Sequence, residues 1–259
     1  MNTDGWIDPG LELSSEACQA YQDDGYVILG RVLSDAGLQG VRGELDRILR
    51  DRHSTVTPDQ IFSPHQSERW LLDLVRHPIL LNVIERIIGP HIVLWQTVFL
   101  CKPPRTGRPA PWHQDLQYWN IRGTLASVWI ALDDLSDENG TMYVLPGYHR
   151  KGALTHHAIS TEWFTDAIEP AELPDCPERH EVGYFFRAGG GAMHHELIPH
   201  RSPPNSSGGW RRTMLARYIS ADGVMPDRQY PHYRTGEKFD RQYYLLRGED
   251  VARQGLLRP

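Results

Sequence analysis

Pro111-Trp112-His113-Gln114-Asp115-Leu116-Gln117-Tyr118-Trp119 is the stretch from which the rest of the chain is read. It follows a loop rich in Pro, Gly and Arg, Pro103 to Pro111, and it contains His-x-Asp. Residues i and i+2 of a strand point to the same face, so a strand here lets His113 and Asp115 reach one metal ion together. Such a pair is weak evidence alone. With 13 His and 33 acidic residues in 259, roughly one or two His-x-acid pairs are expected by chance. Two occur, His113-x-Asp115 and His194-x-Glu196. The ordinary reading of either is a hydrogen-bonded pair at a strand end.

The second pair sits in His194-His195-Glu196-Leu197-Ile198-Pro199-His200, which superficially resembles a zinc-protease helix. It is not His-Glu-x-x-His, because three residues separate Glu196 from His200, and Pro199 would break the helix that motif needs. His200 opens a polar segment, His200 to Ser207, read as a turn after a strand. Trp210-Arg211-Arg212 then enters another strand. Two imidazoles and a carboxylate that leave three positions open form the facial triad of non-haem Fe(II) sites. His200 is the third donor expected here. An Arg on a strand beside such a metal suits a carboxylate, which the guanidinium fork binds bidentately. 2-Oxoglutarate has one for that Arg and a 2-oxo acid end to chelate iron.

Bulk properties narrow the field. The net charge is −6 and the pI about 6.1, which argues against nucleic-acid binding and anchoring to an anionic membrane. Cys18, Cys101 and Cys176 are odd in number and far apart, so neither a disulfide framework nor a zinc spacing is read, and a cytoplasmic location is expected. The first residues lack a basic segment followed by an apolar run, no stretch of about 18 apolar residues exists, and the last residues are not a Ser-Lys-Leu address.

Along the chain, Ser14-Ser15-Glu16 supplies the N-cap of a short helix to about Asp24, and Tyr26 to Leu29 reads as a buried strand between glycines. Ser34 caps a helix with an apolar stripe at Leu38, Val41, Leu45, Ile48 and Leu49. Ser54 to Ser67 reads as loop. Helices follow from Glu68 to Arg76 and from Pro78 to Ile88, the latter stopped by Gly89. Strands are expected at Ile92 to Cys101, Ser127 to Leu132, Met142 to Leu145, Gly183 to Phe186, Ala192 to Ile198 and Arg212 to Ile219. Asn139-Gly140 signals a hairpin between two of them. Helices first and strands after predict an α+β chain. Its β part reads as a sandwich or barrel; the double-stranded β-helix, the cupin-like jelly roll, is the closed all-β form that places ligands inside, with the N-terminal helices packed on it. One domain is expected over 1–259: a helical part to about 90, a core over about 91–220 and an extension over 221–259.

Many of these pieces, in this order, resemble the phytanoyl-CoA dioxygenase family of Fe(II)/2-oxoglutarate oxygenases, which includes ectoine hydroxylases and natural-product tailoring enzymes. They are Gly25 to Leu29, Gln96 with Lys102-Pro103-Pro104, Trp112 to Asp115 with Tyr118-Trp119, Trp129 to Asp133, Glu138 to Gly140, Leu145 to His149, and His200-x-Ser202-x-x-Asn205 leading to Arg211. The resemblance spans about 25–220. It implies iron ligation by His113, Asp115 and His200, and a 2-oxoglutarate carboxylate held by Arg211, with Arg212 the alternative because strand neighbours face opposite sides. Ser202 would assist that Arg, and Gln96 and Trp119 would contact the cosubstrate. Asn205 would shape its loop, and His195 would support the site or the core without ligating.

The implied activity is Fe(II)-, 2-oxoglutarate- and O₂-dependent oxidation, most simply hydroxylation, of an unactivated C–H bond in a small metabolite, releasing succinate and CO₂. Desaturation, epoxidation, cyclisation and a non-catalytic cupin-like binder are the alternatives. No acid or base is expected apart from the iron centre. A carboxylate at Asp115 argues against halogenation, since related halogenases have Ala or Gly there. Phytanoyl-CoA is not the expected substrate, because no obvious basic patch for CoA phosphates appears. The long segment Arg150 to His180 is expected at the substrate mouth, with Tyr118 and Trp163 as apolar walls. The expected partner is the small-molecule substrate, with the protein a monomer or homodimer.

Overall fold

The computed structural model describes residues 2–119, 121–161, 164–225 and 229–259. The N-terminal elements start and stop where local chemistry directs. Ser14 Oγ accepts from the Ala17 N–H to open α1 (Ser15–Asp24), which ends at Gly25 with φ 78°. A left-handed residue at that position costs glycine little. β1 (Tyr26–Arg31) follows. It is an edge strand, so Val27 and Leu29 face the core while Ile28 is exposed, which corrects the expectation of a strand buried throughout. Ser34 caps α2 (Asp35–Asp51), whose stripe Leu38, Val41, Leu45 and Ile48 is buried. Residues 54–67 hold a two-residue strand, β2 (Ile61–Phe62), and a 3₁₀ turn, Pro64–Gln66, where loop was expected. α3 (Arg69–Val75) and α4 (Pro78–Ile88) come next. Pro78 lies in the first turn of α4, and Gly89 stops it.

The strands are β3 (Ile92–Lys102), β4 (Ala110–His113), β5 (Leu125–Ala131), β6 (Tyr143–Val144), β7 (His156–Ala158), β8 (Asp166–Ile168), β9 (Val182–Gly183), β10 (Gly190–His194), β11 (His200–Ser202), β12 (Arg211–Ser220), β13 (Gln229–Pro231), β14 (Lys238–Asp240) and β15 (Tyr244–Arg247). A large antiparallel sheet has the order β1-β10-β5-β12-β3-β15, with β2 also on β3. A smaller one has the order β4-β11-β6-β9. The α+β class is therefore seen directly.

Alternation along the central strands sorts their side chains. Phe99, Val128, Ile130, Met214 and Ala216 pack with the helices. Val98, Trp129, Ala131 and Leu215 pack with Val144 and Ile198 on the side of the smaller sheet. Strands covered on both faces read as continuous apolar runs, which is why β3, β5 and β12 stand out in the sequence.

Three boundaries differ from expectation. β10 ends at His194, because residues 195–198 close a turn in which Ile198 N–H donates to His195 O at 3.0 Å. β9 ends at Gly183. Asn139-Gly140 makes no hairpin, since β5 and β6 lie in different sheets. Asn139 Nδ2 donates to Asp134 O and its Oδ1 accepts from Ser136 N–H, building a turn that carries the chain between sheets. The tail is no loose extension: β15 pairs with β3. Among the described residues, no helix is long and apolar enough to cross a membrane.

Buried Glu68 ties these parts together. It accepts from Arg47 of α2, Trp70 Nε1 of α3, and Tyr233 and Arg234 of the tail. Glu68→Ala should cost about 3 kcal/mol, the low end for a broken buried pair because both arginines keep some contact with water. A fall in the urea midpoint at unchanged slope would register it. A loss under about 1 kcal/mol would show that this hub does not hold the tail to the helices.

Candidate metal centre

β4 and β11 are antiparallel neighbours, and their register sets His200 opposite His113. The two ring centres are 4.0 Å apart. Asp115 is not on the strand, which corrects the i, i+2 argument. It opens a 3₁₀ turn, Asp115–Tyr118. Gln114 holds that turn: its Nε2 donates to Gly152 O and Leu197 O, and its Oε1 accepts from Leu154 N–H. Leu116 N–H donates to Glu196 O at 3.2 Å. The turn brings Asp115 Oδ1 to 3.9 Å from His200 Nε2. His200 begins a strand where a turn was expected.

These three side chains are buried, and one potential ligand atom from each lies within 4.8 Å of the other two. His113 Nδ1 is 2.8 Å from Pro111 O, and His200 Nδ1 is 3.0 Å from Ile198 O. A carbonyl must accept, so both Nδ1 atoms carry the proton and both Nε2 atoms keep a lone pair. Burial and the neighbouring His200 push His113 down to about 3, so it is neutral at physiological pH. Burial pushes the Asp115 carboxyl up, but Arg217 and the imidazoles of His200, His113 and His194 outweigh this and hold it well below the usual range. Two imidazoles turned with Nε2 inward and one carboxylate are the donor set that suits Fe(II).

The cluster opens into a cavity of about 310 Å³. Gln96, Lys102, Tyr118, Trp119, Ser202, Arg211 and Arg217 line it with the three candidate ligands. The phase of β12 separates its two arginines. Arg211 points inward, its Nε donating to Gly140 O and its Nη1 to Thr213 Oγ1, and it forms no ion pair among the described residues. Burial lowers its pKa only to about 10, so it stays charged. Arg212 points the other way and pairs with Asp133 and Asp46. Ser202 Oγ accepts from Lys102 Nζ at 2.8 Å; it lines the cavity with Arg211 but is not hydrogen-bonded to it. Gln96 Oε1 accepts from Arg217, and Trp119 packs on Trp95 at 4.3 Å. Asn205 is a turn residue, its Nδ2 donating to Lys102 O, Pro103 O and Gly209 O. His195 lies outside the cluster, its ring 5.1 Å from that of His149.

The long segment, expected at the substrate mouth, packs beside the cluster. β7 pairs with β8, Tyr118 OH donates to Asp166 O at 2.8 Å, and the Phe164 ring is 4.6 Å from that of His113. Trp163 lies outside the described residues. Sequence reasoning gave no role to Arg217 or Lys102, and weighed His194 only as part of a zinc-hydrolase cluster. The signal for Arg217 was available: it stands six residues after Arg211, an even spacing on one strand, hence the same face. Buried His194 lines the cavity with neither ring nitrogen partnered, 5.7 Å from the His200 ring.

Known proteins share the sequence pattern and the fold. Residues 21–213 match the family model described as phytanoyl-CoA dioxygenase. The peroxisomal phytanoyl-CoA dioxygenase of Homo sapiens is 28% identical over 236 residues, covering 81% of this chain and 69% of that protein. The apo structure of the non-heme monooxygenase ThoJ has a TM-score of 0.74 at 26% identity, covering 91% of this chain and 85% of that one. SnoK, a non-heme alpha ketoglutarate dependent carbocyclase from nogalamycin biosynthesis, has a TM-score of 0.70 at 25% identity, covering 84% and 89%.

Replacing His200 with Ala should weaken Fe(II) binding by more than the ~10–100-fold typical of losing a residue that merely supports a ligand. Anaerobic calorimetry measures this directly, and an unchanged affinity would remove His200 from the cluster's function.

Proposed function

The chain belongs to the phytanoyl-CoA dioxygenase family, the Fe(II)- and 2-oxoglutarate-dependent dioxygenases, and we propose that its reaction is hydroxylation of an unactivated C–H bond in a small organic metabolite. One observation carries the reading. The buried cluster His113, Asp115 and His200 shares its cavity with buried Arg211, which no carboxylate of the described chain pairs. A buried cation without a counter-ion costs several kcal/mol, and an anionic cosubstrate supplies one.

In this reading the three residues hold ferrous iron. The metal, with 2-oxoglutarate and O₂, supplies an oxidative decarboxylation to succinate and CO₂ that oxidises the substrate C–H bond. Arg211 takes the far carboxylate of the keto acid in its fork, and Lys102 and Ser202 stand close enough to share it. Gln96 and Trp119 wall the cavity. Tyr118 and Phe164 cover His113 and keep water from the reacting centre. With a carboxylate at Asp115 the iron would have no protein-vacated site for a halide, which favours hydroxylation over halogenation. The two sheets that enclose the cavity are read as the two halves of a jelly roll. The apolar walls, Phe62, Leu100, Met142, Phe164 and Leu215 among them, favour a largely uncharged substrate. Ring closure is the second reading, favoured by the similarity to the carbocyclase SnoK.

A mass-spectrometric screen of a metabolite library for substrate-dependent succinate tests the proposal. A hit gains one oxygen if hydroxylated and loses two hydrogens if cyclised, and Asp115→Ala should abolish turnover. Undiminished succinate release in that variant would take Asp115 out of the site.

Lys102 adds a pH dependence. Burial and neighbouring Arg211 push it down to about 6, so at pH 8 it is mostly neutral before the keto acid binds. An anion beside it restores the charge, so binding takes up a proton. Affinity should therefore fall as pH rises above 6, by up to about tenfold per unit. Calorimetry in buffers of different ionisation enthalpy should show uptake in the wild type and none in Lys102→Met. No uptake in the wild type would place the carboxylate away from Lys102.

A further inference from the structure

β12 carries a second inward arginine, Arg217, which is buried. Its Nη2 donates to Asp115 Oδ2 at 3.1 Å and its Nη1 to Gln96 Oε1 at 2.8 Å. Its guanidinium carbon stands 4.7 Å from the centre of the Trp119 ring. Gln96 faces Arg217 directly across the β3–β12 pairing. These contacts hold in one place a side chain that carries much rotamer freedom when loose.

We propose that Arg217 is a positioning residue for the metal centre: it occupies Oδ2 of Asp115, so that Oδ1 alone is turned to the two imidazoles. The inference deepens the reading of the site as an iron centre and rests on it. A carboxylate can grip a cation with one oxygen or with both. Here Oδ1 is the oxygen 3.9 Å from His200 Nε2. Oδ2 already accepts a buried charge-assisted hydrogen bond from Arg217, which fixes the plane of the carboxylate and draws on the electron density that Oδ2 would offer as a second donor. A grip by one oxygen would leave room on a bound metal for the keto acid and O₂, where a grip by both would take up part of it. Gln96 then acts through Arg217, by holding its other arm.

Charge and orientation make opposite predictions for this residue. A guanidinium near a dication repels it, so charge alone predicts tighter metal binding when Arg217 is removed. Orientation predicts weaker binding, because Asp115 is released from its place. Mn(II) alone is a suitable probe, with the free ion counted by electron paramagnetic resonance at neutral pH.

Arg217→Met should weaken Mn(II) binding roughly tenfold or more, and Arg217→Lys by an intermediate factor, since it keeps the charge but not the fork. Gln96→Leu should weaken it less, and the double variant should be no weaker than Arg217→Met, as residues acting in series are non-additive. In the Mn(II)-loaded Arg217→Met protein, 2-oxoglutarate should also bind more weakly, because Oδ2 competes for a position the keto acid needs. Unchanged or tighter Mn(II) binding in Arg217→Met, or additive losses in the double variant, would overturn the inference. If Arg217→Met does not fold, Gln96→Leu decides, and an unchanged affinity overturns it. A wild-type protein that takes up no Mn(II) would overturn the metal-centre reading itself.

Discussion

The register between β4 and β11 is the constraint on which the site depends. It sets His200 across from His113, and a one-residue slip would turn either imidazole to the opposite face. Two further devices fix the pair. A carbonyl two residues earlier engages Nδ1 of each ring, so both Nε2 lone pairs are presented together. The Gln114 bridge then folds the chain sharply after His113 and delivers Asp115. Backbone pairing therefore does most of the positioning, with little left to side-chain freedom.

The space between the sheets is walled in part by Leu100, Trp129, Met142 and Leu215, so each buried charge in it needs an explanation. Arg217 and Asp115 satisfy one another. Among the described residues, Arg211 and Lys102 have hydroxyl and carbonyl partners but no carboxylate bonded to them. Burial drives Lys102 towards its neutral form, as expected for a group whose charge has lost its water. Arg211 cannot follow it, because a guanidinium keeps its proton. The cavity thus holds a fixed positive charge set apart from a metal-ligating cluster. A molecule with a carboxylate at one end and a chelating keto acid at the other answers both.

How much of this was legible depended on range. Caps and stripes are local, so Ser14, Ser34, Pro78 and Gly89 marked the helices correctly. Strands buried on both faces, β3, β5 and β12, were plain from their apolar runs. Two-residue strands such as β6 and β9 carry too little pattern to bound. Asn139-Gly140 announces a turn, but nothing local says which sheet the next strand joins. His113, Asp115 and His200 were legible as residue types. The reason first given for Asp115, strand alternation, failed because its position comes from a 3₁₀ turn held by distant carbonyls. Choosing between Arg211 and Arg212 required the phase of β12, and Arg217 gained its meaning only once Asp115 lay beside it.

Crystals loaded anaerobically with Fe(II) and 2-oxoglutarate, with anomalous scattering recorded at the iron edge, test the central claim most directly. One iron peak is expected within bonding distance of His113 Nε2, His200 Nε2 and Asp115 Oδ1, with the far carboxylate of the keto acid against Arg211. A peak elsewhere, one lacking any of those three ligands, or a keto acid turned away from Arg211 would contradict it.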